Sequence, residues 1–277
     1  MIQQYIGSCA IVMSEKYRLD WDINSELLLN KKQLNDIIKF HNKTIFTFHN
    51  KVPGMKISAN MMTWLKNNEF KQTIPQGYID VIELEKIDNK DIDVKSIENS
   101  HLDNEILFFE LSKILNNSFK FNKGGNKIYP SAGALYPINV LLIVINSEKV
   151  ERIEKNGVYL YDAQDEALIL YKAWDEKDIS DFKRHMNCEE NVLGNICIAY
   201  SLDLRKSILK YEYRGYRHGL IEVGLMAQSL RMELHNLGKF KERCWSGFSD
   251  NSLTKLCGLN VRNSPIIMTQ WIDKYDI

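Results

Sequence analysis

The chain has 277 residues, 44% hydrophobic and 10% aromatic, enough to bury one large core or one core with an appendage. Its 36 basic and 36 acidic residues cancel, which removes the net field that a nucleic-acid or anionic-membrane binder relies on. The five scattered cysteines form no C-x-x-C pair, and no apolar run nears the roughly 18 residues of a membrane span, so the composition predicts reduced thiols in a soluble cytoplasmic protein. Tyr5–Met13 reads as a short strand or buried segment and Lys31–Phe40 as a short helix. Val81–Asn99 is charged and nearly alternating, which suits a surface strand or linker. Residues 1–95 carry no chemical motif and form an expected N-terminal extension with partner or dimer contacts; 96–277 is the organised domain.

Within that domain the period alternates. Ile106–Phe119 has helical spacing and stops near the turn formers Lys123–Asn126, while Ile138–Ile145 is an apolar, β-branched run expected for a strand covered on both faces. Gly157–Tyr161 and Ala167–Tyr171 read as a hairpin, and Asn195–Tyr200 as a buried strand. Tyr216–Leu237 is the longest predicted helix, with Leu220, Val223, Gly224, Ala227, Leu230, Leu234 and Leu237 on one stripe and Gly238 as its stop. A short helix at Asn251–Cys257 and a strand at Pro265–Trp271 close the chain, and Met226 and Met232 are read as core fillers. The pattern predicts an α+β fold, a central mixed sheet flanked by helices.

The most informative segment is Tyr129–Pro137, Y-P-S-A-G-A-L-Y-P, where two prolines fix φ and Gly133, beside Ser131 and Ala132, lets backbone approach a flat ligand. A second is Lys210–Arg217, K-Y-E-Y-R-G-Y-R, with three tyrosines, three cations and a glycine in eight residues. On its own it also reads as the lead-in to a helix, with Tyr211 and Tyr213 packed and the arginines solvated. A third is Cys244–Asp250, C-W-S-G-F-S-D, by itself an ordinary loop before a helix.

Together these strings resemble the azoline-oxidising flavoprotein branch of the nitroreductase superfamily, whose members finish thiazole and oxazole rings in ribosomally made peptides. The resemblance covers roughly residues 100–273 and implies a nitroreductase-like fold binding FMN in residues 96–277. It implies a homodimer with flavin at the subunit interface, a precursor-peptide substrate, and cyclodehydratase and scaffold partners. Lys210 and Tyr211 match the branch's catalytic pair. Ser131, with the amides of Gly133 and Ala134, is expected to line the flavin; Trp245, Ser246 and Gly247 match a second lining string. Arg214, Arg217 and Gln228 fall among the implied flavin contacts, the last through E-V-G-L-M-A-Q at Glu222–Gln228; a structural role for Glu222, capping or pairing with His218, is equally open. Close relatives carry an arginine where this chain has Lys127, which serves as a phosphate partner without the bidentate fork. The R-R-S phosphate motif of the wider superfamily is missing near residues 85–105.

The implied chemistry removes a proton from the azoline α-carbon and passes a hydride to the flavin. A lysine of ordinary pKa, about 10.4, is protonated at neutral pH; desolvation or the charge of Arg214 and Arg217 would make it a base. Tyr211 would stabilise developing negative charge or orient the lysine. Two alternatives stay open: an NAD(P)H-dependent nitro or quinone reductase, and a flavin-free structural subunit of a synthetase complex. The six histidines show no metal-binding spacing, and Gly124–Gly125 is not a dinucleotide fingerprint.

Overall fold

The structure, a computed structural model, describes residues 28–45, 58–72, 74, 77–86, 105–188 and 194–275. By its internal contacts the chain divides into two units, Met1–Thr47 and Phe48–Ile277. In the first lies helix α1 (Lys31–Lys43), covering the expected Lys31–Phe40. The side chain of Asn30 caps it, accepting the amides of Lys32 and Gln33 at 3.0 and 3.2 Å. The expected strand at Tyr5–Met13 lies outside the described residues.

The second unit is built on one seven-stranded sheet: β1 (Asp80–Glu83), β2 (Ile138–Val144), β3 (Gly157–Asp162), β4 (Ala167–Ala173), β5 (Ile196–Leu202), β6 (Phe240–Trp245) and β7 (Ile266–Lys274). The strands run in the order β1-β4-β3-β2-β5-β7-β6. Its helices are α2 (Ala59–Asn68), α3 (Phe108–Phe119), α4 (Glu176–Met186), α5 (Leu204–Tyr211), α6 (Tyr213–Leu237) and α7 (Asp250–Leu256). The α+β class is as expected, but among the described residues the sheet is not mixed: every ladder is antiparallel. Among the described residues parallel pairing is confined to the isolated bridge of Ile106 with Val150. Connections as short as 163–166 can join only antiparallel neighbours, since a parallel crossover needs about a dozen residues or more.

Strand β2 shows why the sheet has two cores. Its side chains alternate by the period of two, so Ile138, Val140, Leu142 and Val144 join Leu111, Ile114 and Leu115 of α3 and Val223, Met226 and Leu230 of α6. Leu141 and Ile143 point the other way, to Phe182 and Met186 of α4, Leu253 of α7 and Trp271. Each such buried aliphatic side chain contributes about 1.5–3 kcal/mol relative to exposure.

Several elements differ from expectation. Helix α4 is unpredicted because its apolar stripe is only Ile179, Phe182 and Met186 among charges; the side chain of Asp175 starts it by accepting the Asp178 amide at 2.8 Å. Strand β1 and helix α2 come from within residues 1–95, and β1 pairs with β4, while most of Val81–Asn99 lies outside the described residues. The buried face of α6 is Gly215, Gly219, Glu222, Val223, Met226, Ala227, Leu230 and Leu234. Leu220 and Gly224 of the expected stripe are exposed, as is Met232, because the face turns toward Glu222 and Met226. Gly238 stops the helix as expected, left-handed at φ 67°, with its amide donating to the carbonyls of Leu234 and His235.

Candidate functional site

The Tyr129–Pro137 turn sits between β2 and α6 and is held in an unusual backbone. Gly133, Ala134 and Tyr136 all have positive φ, at 61°, 52° and 47°. Two of these bear side chains that rarely adopt this region, so the surroundings must enforce it. They do so through hydrogen bonds. The Tyr136 amide donates to Ser131 Oγ at 2.9 Å, Ser131 Oγ donates to Glu222 Oε2 at 2.6 Å, and the Lys127 amide donates to the Tyr136 hydroxyl at 3.0 Å. The Ala134 amide donates to the Ser131 carbonyl, and the Ala134 carbonyl accepts from the Phe70 amide at 2.9 Å.

Helix α5 brings Lys210 and Tyr211 to this turn. It starts where the side chain of Asp203 accepts the Lys206 amide at 3.1 Å, and ends at Glu212, whose φ of 49° and ψ of −138° swing the chain into α6. Gly215 makes that corner possible: a side chain there would run into the Ser207 backbone, whose own side chain donates to the Gly215 carbonyl. The result places the tips of Lys210 and Tyr211 over Gly133. A Cβ at Gly133 would lie 2.5 Å from Lys210 Nζ and collide with the Tyr211 hydroxyl. Lys210 Nζ also pairs with Glu69 Oε1 at 2.9 Å, and the Tyr211 ring packs edge-on against His218 with centroids 4.9 Å apart.

Beneath the turn lies a buried set of charges. Glu222, Lys127 and Lys206 are 3%, 7% and 5% exposed. Burial pushes the Glu222 carboxyl up to about 7, against the opposing pull of the Ser131 hydrogen bond and the charges of Lys127 and Lys206. Burial likewise pulls Lys127 down to about 7 and Lys206 to about 8, with nearby carboxylates opposing. The Lys127 ammonium lies over the rings of Phe121, Tyr136 and Tyr129, at 4.6, 5.5 and 5.8 Å. Glu222 Oε1, the Tyr129 hydroxyl and His218 Nδ1 are buried without a hydrogen-bond partner. Glu222 is therefore bonded to Ser131 and not to His218. The charges of Arg214 and Arg217 reach His218, whose pKa is lowered by burial first and by the two arginines next.

The expected site residues thus divide. The structure brings together Ser131, Gly133, Ala134, Lys210 and Tyr211, with Arg214 and Arg217 on the first turns of α6. The Ser131 hydroxyl and the Ala134 amide, expected to face a flavin, are both bonded within the chain. Lys127 stands in an aromatic cage instead of at the surface, and Gln228 is exposed on α6. Trp245 packs with the second core, its indole N–H donating to the Met186 carbonyl at 2.8 Å, and Ser246 and Gly247 follow on the surface. Glu69 and Lys206 carry charge in the site without having been expected there. Lys206 lies one helical turn before Lys210 and was legible once α5 is drawn; Glu69 is 141 residues from its partner and no local pattern marks it. Among the described residues no cluster of His, Cys, Asp and Glu could hold a metal ion, and no helix is long and apolar enough to cross a membrane. Cys188, Cys197, Cys244 and Cys257 are free thiols.

No family model matches the chain. In sequence it is 26% identical over 232 residues to the microcin B17-processing protein McbC of Escherichia coli, an alignment spanning 75% of this chain and 85% of McbC. This chain is thus similar to McbC in sequence. The solved E. coli microcin synthetase McbBCD complex, with truncated pro-MccB17 bound, contains a chain that superposes with a TM-score of 0.55 at 24% identity, covering 92% of this chain and 97% of that one. A nitroreductase-like protein of Anabaena variabilis superposes with a TM-score of 0.62 at 17% identity, over 84% of this chain and 45% of its own. Both likenesses are of fold.

Proposed function

We propose that this chain is an FMN-dependent oxidoreductase that oxidises thiazoline or oxazoline rings to thiazoles or oxazoles in a ribosomally made precursor peptide. The observation that carries this reading is the convergence of Lys210 and Tyr211 on Gly133, two motifs about 75 residues apart in sequence meeting at one exposed turn. The McbC likeness supports a peptide-processing role, and the nitroreductase-like fold supports an oxidoreductase. The turn fits a flat cofactor: Gly133 is exposed, and any side chain on it would fill the space beside the lysine and tyrosine tips. Gly133, Arg214 and Arg217 would hold the cofactor, with Lys210 and Tyr211 beside it; when bound it supplies the two-electron acceptor for a hydride.

The chain's own contribution is position and proton handling. Lys210 Nζ, at the turn, would in its neutral form accept the proton leaving the ring α-carbon, becoming the ammonium that pairs with Glu69, and the Tyr211 hydroxyl beside it would donate to negative charge developing on the ring. Trp245, Ser246 and Gly247 would reach the cofactor of a second copy across a subunit boundary. A homodimer is supported by the exposed apolar residues Ile221, Leu225 and Met232 along α6. A cyclodehydratase that closes the rings and a scaffold protein are the proposed partners, with residues 1–95 contributing contacts to them. The test is to purify the protein with excess FMN, record its visible spectrum, and incubate it with an azoline-bearing peptide in air without NAD(P)H. The expected result is a yellow protein and a loss of two hydrogens per ring by mass spectrometry. A colourless protein, or turnover that requires NAD(P)H, would overturn the reading.

A further inference from the structure

Four consecutive residues that follow α2 form a strap across the site. Glu69 pairs with Lys210 at 2.9 Å, the Phe70 amide donates to the Ala134 carbonyl at 2.9 Å, and the Lys71 carbonyl accepts from Lys206 Nζ at 2.7 Å. Gln72 then bonds twice to the end of β3 and the turn after it, donating to the Tyr161 carbonyl at 2.7 Å and accepting from the Ala163 amide at 3.1 Å. Lys206 and Lys210 stand one turn apart on α5, so the strap grips the same helix face twice while touching the Gly133–Ala134 turn between. Phe70 itself has a positive φ of 57°, a conformation maintained by these contacts. The Glu69 and Lys210 side chains are 31% and 21% exposed, and ion pairs so placed contribute little to stability. What the pair does supply is a fixed location for the amine.

Resting on the function proposed above, we infer that Glu69 is a positioning residue for Lys210, and that the strap Glu69–Gln72 sets where that amine stands over the Gly133 turn. Sequence alone assigns this segment no chemistry, yet its carboxylate is the ion-pair partner of the proposed base. A lysine side chain with four rotatable bonds samples many positions; a carboxylate anchored by a strap bonded at four successive residues selects one. Misplacing a catalytic group by about an ångström is enough to cost on the order of a hundredfold in rate.

Two readouts separate positioning from folding and from the reaction assignment. The first is the rate at which Lys210 is acetylated by an amine-reactive ester, read by peptide mass spectrometry; it needs no turnover. In Glu69→Gln the released amine should react several-fold faster than in the wild type. The second is ring oxidation, where kcat should fall roughly tenfold to a hundredfold with KM nearly unchanged. Glu69→Asp keeps the charge and should recover part of the loss, and Gln72→Ala, which loosens the strap while leaving the carboxylate, should shift both readouts the same way by less. Unchanged Lys210 acetylation in Glu69→Gln overturns the inference, as does unchanged kcat when acetylation rises. If the wild type oxidises no azoline at all, the function proposal falls while the acetylation result still decides where Glu69 holds the lysine.

Discussion

The two faces of the sheet carry motif strings of similar density, yet they are chemically unlike. On the α3 and α6 face, the Tyr129–Pro137 turn lies over three buried ionisable groups, Lys127, Lys206 and Glu222, two of whose neighbours have polar atoms without partners. On the α4 and α7 face, the Trp245–Phe248 string closes an apolar cluster with Phe182, Leu253, Trp271 and the buried thiols Cys197 and Cys257. Burying charge costs free energy unless partners compensate, so a fold retains it where geometry or chemistry requires it. The difference therefore separates a face that stores electrostatic tension around a strained turn from one whose interior is apolar packing.

The sharpest way to break that contrast is to remove the amine. Lys210→Ala should keep the fold, because its side chain is partly exposed and its ion pair with Glu69 is a surface pair, and should retain flavin. Ring oxidation should fall by about 10²–10⁴-fold, the usual contribution of a general base. Turnover at the wild-type rate by flavin-loaded Lys210→Ala would place the proton transfer elsewhere.

The buried charges make a second prediction, in pH. Between its usual 4.5 and its folded value of about 7, Glu222 keeps a proton in the folded chain that the unfolded chain has released. Its stabilising contribution is thus fully present below about 4.5 and lost as pH rises through about 7, an effect on the order of a few kcal/mol. Lys127 acts in the opposite window: lowered from 10.5 to about 7, it withholds stability below about 7 and returns it as pH rises toward 10.5. Stability measured by urea unfolding should therefore dip near neutrality, and Glu222→Gln should flatten the limb between about 4.5 and 7. Parallel curves for the two proteins across that window would mean that Glu222 titrates as if exposed.

Gly133→Ala tests the turn itself. A left-handed conformation costs a residue with a Cβ about 1–2 kcal/mol, and here the new methyl group also meets the ends of two long side chains. Those ends can swing away, so most of the effect should appear in catalysis, not in stability: a modest drop in unfolding midpoint alongside a loss of roughly tenfold or more in kcat. Equal losses in both would mean that the turn matters as structure alone.

How much of this was legible beforehand depends on distance along the chain. The β2 run, the β3–β4 hairpin and the Gly238 stop of α6 follow from local period and turn chemistry, and they stand where expected. The K-Y pair and the Gly133 turn could be singled out because each is compact in sequence. Helix α5 was hidden because it has only eight residues, the last two of them inside the Lys210–Arg217 motif, and α4 because three apolar residues make a faint stripe. The buried state of Lys127 depends on rings from Phe121, Tyr129 and Tyr136, closed over it by the fold of the turn. Glu69 reaches Lys210 only through tertiary packing, and the α6 face turned toward Glu222 because Ser131 offers that carboxylate a hydrogen bond. Residue type alone cannot announce such partnerships.

The smallest expected effect lies with the hydroxyl of Tyr211. Its ring is held edge-on against His218 at 4.9 Å, a contact that Tyr211→Phe leaves intact, while the hydroxyl that would meet any side chain on Gly133 disappears. Stability should stay near the wild-type value, since no hydrogen bond of that hydroxyl within the chain is among those that hold the turn. If the hydroxyl donates to charge developing on the ring, kcat should fall by about tenfold, less than the loss from Lys210→Ala because a single hydrogen bond of that kind is worth about 1.5 kcal/mol. The pH profile should keep its shape, because the base is untouched. An unaltered kcat would reduce Tyr211 to a packing residue that braces His218, and the chemistry of this face would then rest on Lys210 and the strap that holds it.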